Sequence, residues 1–344
     1  MRDAARARRQ GVAAKARRRP SWLVRGRVPF SSPPPRAVVT VGVFDGVHVG
    51  HRRLIRDTVA RAAAIGGTSV AVTFDPDPHE VLAPQRAPLA LMPVPVRCRI
   101  LHALGIERVW VIPFTRAFAG LSAREFIRQV LIEQLAARVV VVGVGFAFGR
   151  GGAGDPDLLA RAGLKTGMRV IAVPPVMRGG RPVSSSRIRT LIGEGRLSAA
   201  ARLSGRPPML YGRVIRGSGR GGRRVGVRTA NLALPPQIVP PEGVYAVMAA
   251  CPDGRASAST PWRRAWRGVM NFGVRPTFGA GRVVCEVHLF GFSGSLYGRE
   301  LAVAVLARLR GERCFPSPQA LAKQIRRDAG RARRLLKSVR WPNC

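Results

Sequence analysis

Apolar residues along this chain keep two different rhythms, and the change between them falls near residue 205. From residue 37 to about 205, solid apolar runs alternate with stretches that are apolar at every third or fourth position. Val38 to Val43 is apolar enough for a parallel strand buried on both faces. Arg52 to Ile65 carries Leu54, Ile55, Val59, Ala62 and Ile65 at helical spacing. Ser69 to Phe74 then predicts a strand, Val96 to Leu104 a helix, and Arg108 to Ile112 a strand. Ser122 to about Ala136 predicts a helix, opened by the capping-box pair Ser122 and Glu125. A strand at Arg138 to Gly143, a helix at Asp157 to Leu164 and a strand at Met168 to Val173 follow. The alternation predicts a doubly wound parallel α/β sheet, whose ligands bind beyond the carboxyl ends of the strands.

After Gly205-Arg206-Pro207-Pro208 the pattern becomes short β-runs separated by Gly and Pro turns. Met209 to Ile215, Val244 to Ala250, Gly268 to Phe272, Val283 to Phe292 and Glu300 to Arg308 predict a small antiparallel β-barrel. Ser317 to Leu336, apolar at Leu321, Ile325, Leu335 and Leu336, predicts a C-terminal helix closing the chain. No internal repeat is present.

Composition adds limits. A chain of 344 residues suits two domains. No stretch reaches the roughly 18 uninterrupted apolar residues of a membrane span, so no membrane partner is expected. The formal charge of +40 invites a nucleic-acid reading. Arginine supplies nearly all of it, since Lys15, Lys165, Lys323 and Lys337 are the only lysines, and the arginines are spread along the whole chain. Salt-sensitive sticking to polyanions follows, but no specific nucleic-acid partner does. The five cysteines, Cys98, Cys251, Cys285, Cys314 and Cys344, are scattered without a C-x-x-C pair. A reduced, cytoplasmic setting is the simplest reading. Residues 1 to 36 are Arg-rich, acid-poor and end in Ser-Ser-Pro-Pro-Pro, so a disordered basic tail outside the fold is expected. Homo-oligomerisation is left open.

Chemistry begins at Phe44-Asp45-Gly46-Val47-His48-Val49-Gly50-His51. Strand, glycine turn and helix start aim backbone N–H groups and a positive dipole end at a phosphate. Two imidazoles there can donate hydrogen bonds as charge builds on phosphate oxygens. Val183 to Arg189 adds hydroxyls, N–H groups and arginine where another anion could sit. In the second half, Gly217-Ser218-Gly219-Arg220-Gly221-Gly222, Gly226 and Thr229-Ala230-Asn231 form a glycine-rich turn followed by oxygen donors.

Together these elements resemble the bacterial bifunctional riboflavin kinase/FMN adenylyltransferase (FAD synthetase) family, over residues 37 to about 337. The resemblance implies a nucleotidyltransferase domain at 37–205 and a riboflavin kinase barrel at 206–344. It implies ATP binding in the first half by Phe44, Asp45, Gly46, His48, Gly50, His51, Ser184, Ser186 and Arg189, with His48 and His51 catalytic. The motif Thr73-Phe74-Asp75-Pro76 and the loop around Phe146 and Phe148 match family loops near the flavin, implying flavin contacts from Phe74, Pro76, Phe146 and Phe148. In the second half it implies ATP binding by Gly217, Gly219, Arg220, Gly226, Thr229 and Asn231, with Thr229 and Asn231 on Mg²⁺. Arg275 and Glu286 are implied at riboflavin, with Glu286 of Glu286-Val287-His288 as the catalytic base. The implied reactions are phosphorylation of riboflavin to FMN and adenylylation of FMN to FAD, both from ATP with Mg²⁺.

The chain departs from the family pattern at several positions. Arg228 stands for the proline before T-A-N, and the phosphate loop holds one extra residue near Gly221-Gly222. Asp77 stands for a histidine. Gly145 and Ala147 flank Phe146 where polar side chains are usual, and Gly291 replaces an aspartate. A lost polar contact typically costs about 1 kcal/mol, so the expected casualty is flavin binding in the first half. Two alternatives follow: a paralogue with kinase activity only, or a nucleic-acid-binding regulator on the same fold.

Overall fold

A computed structural model describes residues 20–28, 30–216, 228–251, 265–275 and 282–339. The first half is a six-stranded sheet in which every pairing is parallel, in the order β1-β4-β3-β2-β5-β6. In chain order the elements are β1 (Leu23–Arg25), β2 (Val38–Val41), α1 (Val49–Ala64), β3 (Ser69–Asp75), α2 (Pro78–Leu82), α3 (Val94–Ala103), β4 (Arg108–Pro113) and α4 (Arg116–Ala119). Then come α5 (Ala123–Phe126), β5 (Val139–Gly143), α6 (Pro156–Thr166), β6 (Arg169–Val173), the hairpin strands β7 (Met177–Arg178) and β8 (Arg181–Pro182), α7 (Ser185–Gly193) and α8 (Leu197–Ser204). β2, fully buried along its length, has its crossovers on both sides, so the strand order reverses between β2 and β5. That reversal opens the crevice where such sheets hold ligands.

Two details depart from the sequence reading. The expected tail enters the fold: β1 pairs with β4 through Leu23↔Val109, Val24↔Trp110 and Arg25↔Val111. A strand this short has too few residues to show a period, and its surroundings of arginine hide it. The helix expected to run from Ser122 to about Ala136 is α-helical only through Phe126, with a π-type winding over Ile127–Gln134. Over two turns the apolar positions Ile127, Val130, Leu131 and Leu135 serve either winding, so the pattern could not separate them. The capping box at Ser122 and Glu125 is present.

The second half is a closed antiparallel barrel in the cyclic order β10-β13-β12-β11-β14-β9. Its strands are β9 (Met209–Ile215), β10 (Ala230–Ala233), β11 (Gly243–Ala250), β12 (Trp266–Arg275), β13 (Arg282–Leu289) and β14 (Glu300–Arg310). β10 is the strand the apolar pattern missed, because Ala-Asn-Leu-Ala offers one large apolar residue. β11 shows the packing logic. Tyr245, Val247 and Ala249 fill the barrel, while Val244, Ala246 and Met248 face the closing helix α9 (Pro318–Leu336) through Ala332 and Leu336. Both faces of one strand are therefore apolar and buried. Arg310 Nε donates to Asp328 at 2.9 Å, tying α9 to β14.

The halves are joined through a shared core. Phe44, Val47 and Met92 of the first half pack with Tyr211, Ala250 and Ala302 of the barrel. Ile238 N–H donates to the Ala90 carbonyl at 2.9 Å. No helix among the described residues is long and apolar enough to cross a membrane.

Candidate functional site

The turn after β2 is tightly wound. Phe44 and Val47 take φ of 53° and 37°, and Gly46 takes 82°. Left-handed backbone at two side-chain-bearing residues is costly, of the order of 1–3 kcal/mol each, and persists only when surroundings enforce it. Here they do. Phe44 is buried beneath the loop, 1 % exposed, and its ring edge meets His51. A Cβ on Gly46 would lie 2.6 Å from the Leu91 side chain, so that glycine is needed for both its φ and its space.

His48 is the N-cap of α1, and its Nδ1 accepts from the His51 N–H at 3.3 Å. An accepting Nδ1 carries no proton, so the neutral ring keeps its proton on Nε2, the donor a phosphate oxygen needs. The two imidazoles stack, 3.7 Å apart and 16° from parallel. Burial, then Arg206, push His48 down to about 4, and Arg189 adds to this against a backbone hydrogen bond that raises it. Burial, then His48, Arg97 and Arg206, hold His51 well below the usual imidazole value. Both rings are neutral at pH 7. The Nδ1 of His51 is buried with no partner among the described residues.

The N-terminus of α7 faces the same loop. Ser185 Oγ donates to the Asp45 carbonyl at 2.8 Å, and Ser184 caps the helix by accepting from Arg187 N–H. The Val183 carbonyl lies 3.9 Å from where a Cβ on Gly50 would stand. Two helix starts thus converge on one small region, an arrangement that favours an anion.

Beneath lies a charged cluster. The Asp45 carboxylate is 2 % exposed; it accepts from Leu91 N–H and Met92 N–H and pairs with Arg189 Nη2 at 2.8 Å and Arg97 Nη2 at 3.5 Å. Arg189 Nε also donates to the Leu89 carbonyl. Arg206 Nη2 donates to the Gly46 carbonyl at 2.6 Å. Of the residues read as ATP contacts, Asp45 and Arg189 are therefore engaged with each other, and Phe44 is core. They shape the loop from below. His48, Gly50, His51, Ser184 and the exposed Ser186 lie where the helix starts meet. Arg97, Arg206 and Ser185 belong to this cluster and were not singled out from sequence. Among 58 Lys and Arg residues, no local signal separates them.

Across the crevice runs a chain of rings. Phe114, Phe74, Phe118, Phe126, Phe148 and Phe146 each neighbour the next at centroid distances of 5.3–6.3 Å. Phe148 and Phe74 sit in the sheet core at 7 % and 9 % exposure, whereas Phe146 is half-buried and stacks on Phe148 at 17°. Phe146 and the exposed Pro76 are the surfaces that remain for a flavin, and Phe74 and Phe148 are packing beneath them. Asp77, the substitute for histidine, closes a capping box with Glu80 at the start of α2 and bonds His79 Nδ1 at 3.0 Å.

In the barrel, the register puts Asn231 of β10 and Asn271 of β12 directly opposite Glu286 of β13 on either side. Opposed residues share a face, so the row is amide, carboxylate, amide. Their neighbours Cys285 and Val287 point into the barrel core; burial, then Glu286, push the Cys285 thiol up to about 12. Glu286 thus stands on the outer face among polar groups, not in the apolar setting its sequence neighbours suggest. His288 Nδ1 meets the Arg228 carbonyl at 2.8 Å, holding the backbone beside Thr229. Gly217, Gly219, Arg220 and Gly226 lie outside the described residues, as does the side chain of Arg275. Among the described residues no group of three or more His, Cys, Asp or Glu gathers as a metal cluster. Thr229 and Asn231 supply hydroxyl and amide oxygens, donors that suit Mg²⁺ shared with substrate phosphates.

A family model described as FAD synthetase matches residues 31–187, and one described as riboflavin kinase matches residues 204–336. A bifunctional riboflavin kinase/FMN adenylyltransferase of Pseudomonas fluorescens is 37 % identical over 314 residues, 91 % of this chain and 97 % of that protein. The Escherichia coli K12 protein of the same description is 35 % identical over 312 residues, 90 % and 96 % respectively. A solved structure described as a macrolide-efflux protein of Streptococcus pneumoniae covers 93 % of this chain and 100 % of its own, with TM-score 0.76 and 29 % identity. The efflux named there is that protein's, and the likeness used here is one of fold.

Proposed function

The chain belongs to the family of bifunctional riboflavin kinase/FMN adenylyltransferases, and from that premise we propose how its two halves divide the work. It is an enzyme with both activities, using ATP and flavins as substrates. Residues 37–205 carry adenylyl transfer and residues 206–344 carry riboflavin phosphorylation. The observation that supports this division most directly is the presence of two separate phosphate-handling constellations, one in each half.

In the first half, the FMN phosphate attacks the α-phosphorus of ATP and pyrophosphate leaves. The work of the protein is alignment and charge neutralisation. His48 donates from Nε2 to the triphosphate, with His51 stacked behind it. Ser184, Ser186 and the N–H groups at the start of α7 hold the β- and γ-phosphates. Asp45 anchors Arg189, Arg97 and the loop at Leu91 so that these donors stand in place before substrate arrives. Phe146 and Pro76 offer the isoalloxazine its apolar contact.

In the second half, Glu286 takes the proton of the riboflavin 5′-hydroxyl as it attacks the γ-phosphorus. Thr229 and Asn231 would hold Mg²⁺ and the phosphates; when bound, the ion supplies neutralisation of phosphate charge. Asn271, opposite Glu286, can orient the carboxylate from the other side. We place both reactions in the cytoplasm, which suits the free thiols of Cys98, Cys285 and Cys314.

Neither the kinase-only nor the nucleic-acid reading gains support from the comparisons. The direct test incubates purified protein with ATP, Mg²⁺ and either riboflavin or FMN, and separates the flavins by chromatography. FMN and FAD are expected from riboflavin, and FAD from FMN. Formation of FMN without FAD would overturn the reading of the first half, and formation of neither would overturn both.

A further inference from the structure

Residues 20–28 precede residue 31, where the FAD synthetase match begins, yet they are built into the adenylyltransferase sheet. Val109 N–H donates to the Trp22 carbonyl at 2.8 Å, and Gly26 N–H to the Val111 carbonyl at 3.3 Å. The Trp110 indole N–H donates to the Gly26 carbonyl at 2.9 Å. Trp22 stacks on His102, 4.4 Å apart and 10° from parallel. Because β1 runs parallel to β4, it travels toward the carboxyl ends of the strands, where ligands of this fold bind. Its last residue, Arg25, reaches past β4 to β3 and pairs with Asp75 through Nη1 at 2.7 Å. Asp75 ends β3, between Phe74 and Pro76, and its carbonyl accepts from Phe114 N–H. β1 therefore ends against the turn that leads into the flavin-side loop. That turn leads to Asp77, which stands where the family has a histidine and caps α2.

An edge strand can also be mere cover for exposed backbone groups. The pair's placement argues for more. The backbone of β1 already covers β4, and the Arg25 side chain adds nothing to that cover. Its side chain extends across one strand to reach a carboxylate at the ligand end. With Arg25 and Asp75 side chains 31 % and 37 % exposed, the pair is too open to contribute much stability, but a fixed turn can set how a ligand is held.

Resting on the assignment of adenylyl transfer to the first half, we propose that β1 is a positioning element for FMN, with Arg25 acting through Asp75 to fix the Phe74–Asp77 turn. The test uses the full chain and its Arg25→Ala, Arg25→Lys, Asp75→Asn and Arg25→Ala/Asp75→Asn variants. Steady-state conversion of FMN to FAD gives KM for FMN, KM for ATP and kcat; phosphorylation of riboflavin by the same preparations reports intact fold. Arg25→Ala should raise KM for FMN about three- to five-fold, the range of a partly exposed ion pair, with Arg25→Lys restoring part of it. KM for ATP and riboflavin phosphorylation should stay at wild-type values. Asp75→Asn should match Arg25→Ala, and the double variant should be no worse than either. An unmoved KM for FMN in Arg25→Ala overturns the inference alone, as do additive effects in the double variant or a parallel rise in KM for ATP. A wild-type protein that makes no FAD from FMN overturns the assignment beneath it as well.

Discussion

The H-x-G-H pocket and the Glu286 face, the two places proposed for ATP, have opposite constructions. The first is a buried electrostatic assembly: one carboxylate, Asp45, at 2 % exposure, holds two guanidinium groups and two backbone N–H groups beneath a strained loop. The second is a row of half-buried side chains on the outside of a barrel, brought side by side by strand register. In the pocket, the loop rests on buried groups that lie beneath it. On the barrel face, the proposed base Glu286 is half-buried and stands opposite Asn231 and Asn271. Damage should therefore spread differently. A change in the pocket's foundation should unsettle both fold and activity, and a change on the face should cost chemistry with little structural consequence.

The largest expected effects sharpen that comparison by separating the reactions. Glu286→Gln removes the general base and should lower kcat for riboflavin phosphorylation by about 10²–10⁴-fold, leaving FMN adenylylation and the melting temperature unchanged. His48→Ala removes one phosphate donor and should lower adenylyl transfer by about 10²–10³-fold, leaving phosphorylation intact. Assays with each flavin in turn check both, and matched losses of the two reactions in either variant would dissolve the two-site division.

Asp45→Ala probes the foundation. It strands Arg97, which is 2 % exposed, without its counter-charge. Breaking a buried pair from one side costs roughly 3–5 kcal/mol. Denaturant unfolding should show a loss of that order, with adenylyl transfer impaired alongside. A loss under about 1 kcal/mol, the level of an exposed pair, would mean the cluster is not the buried foundation described.

The smallest effect is set by pH. His48 is held near 4 in the fold and titrates near 6.5 when unfolded. The unfolded chain thus takes up a proton first as pH falls. The stability contribution is fully present above about pH 6.5, declines as pH falls below it, and levels off near 4, at roughly 3 kcal/mol in total. Unfolding free energies of wild type and His48→Ala, compared between pH 7 and 4.5, should diverge with this sign. Riboflavin phosphorylation should carry no inflection from His48. Equal pH slopes for the two proteins would show that the ring is not held neutral.

Much of this was legible in the chain. The strand-helix rhythm up to Gly205, the change to barrel strands and the closing helix all follow from local periodicity. His48 and Glu286 stand out because their motifs are short and contiguous. The residues that escaped notice share another property. Arg97 and Arg206 are ordinary arginines in an arginine-rich chain; Asn271 lies in a stretch that keeps the family order, and only its place opposite Glu286 depended on the register of β12 against β13. Phe44, Phe74 and Phe148 were read as ligand contacts because they sit within motifs, but a motif holds its packing residues as well as its functional ones.

Sequence by itself therefore determined the kinds of elements, their order and the family's chemistry, because backbone period and short motifs are encoded by residues close in the chain. Tertiary structure alone decided which side of each motif faces a substrate. It also decided that β1 joins the sheet and which arginines meet the few carboxylates. Those outcomes depend on contacts between segments as distant as Arg25 and Asp75, Asp45 and Arg189, or Gly46 and Arg206. The strength of a charge pair is set by burial and separation in space, and neither quantity is written in the order of residues.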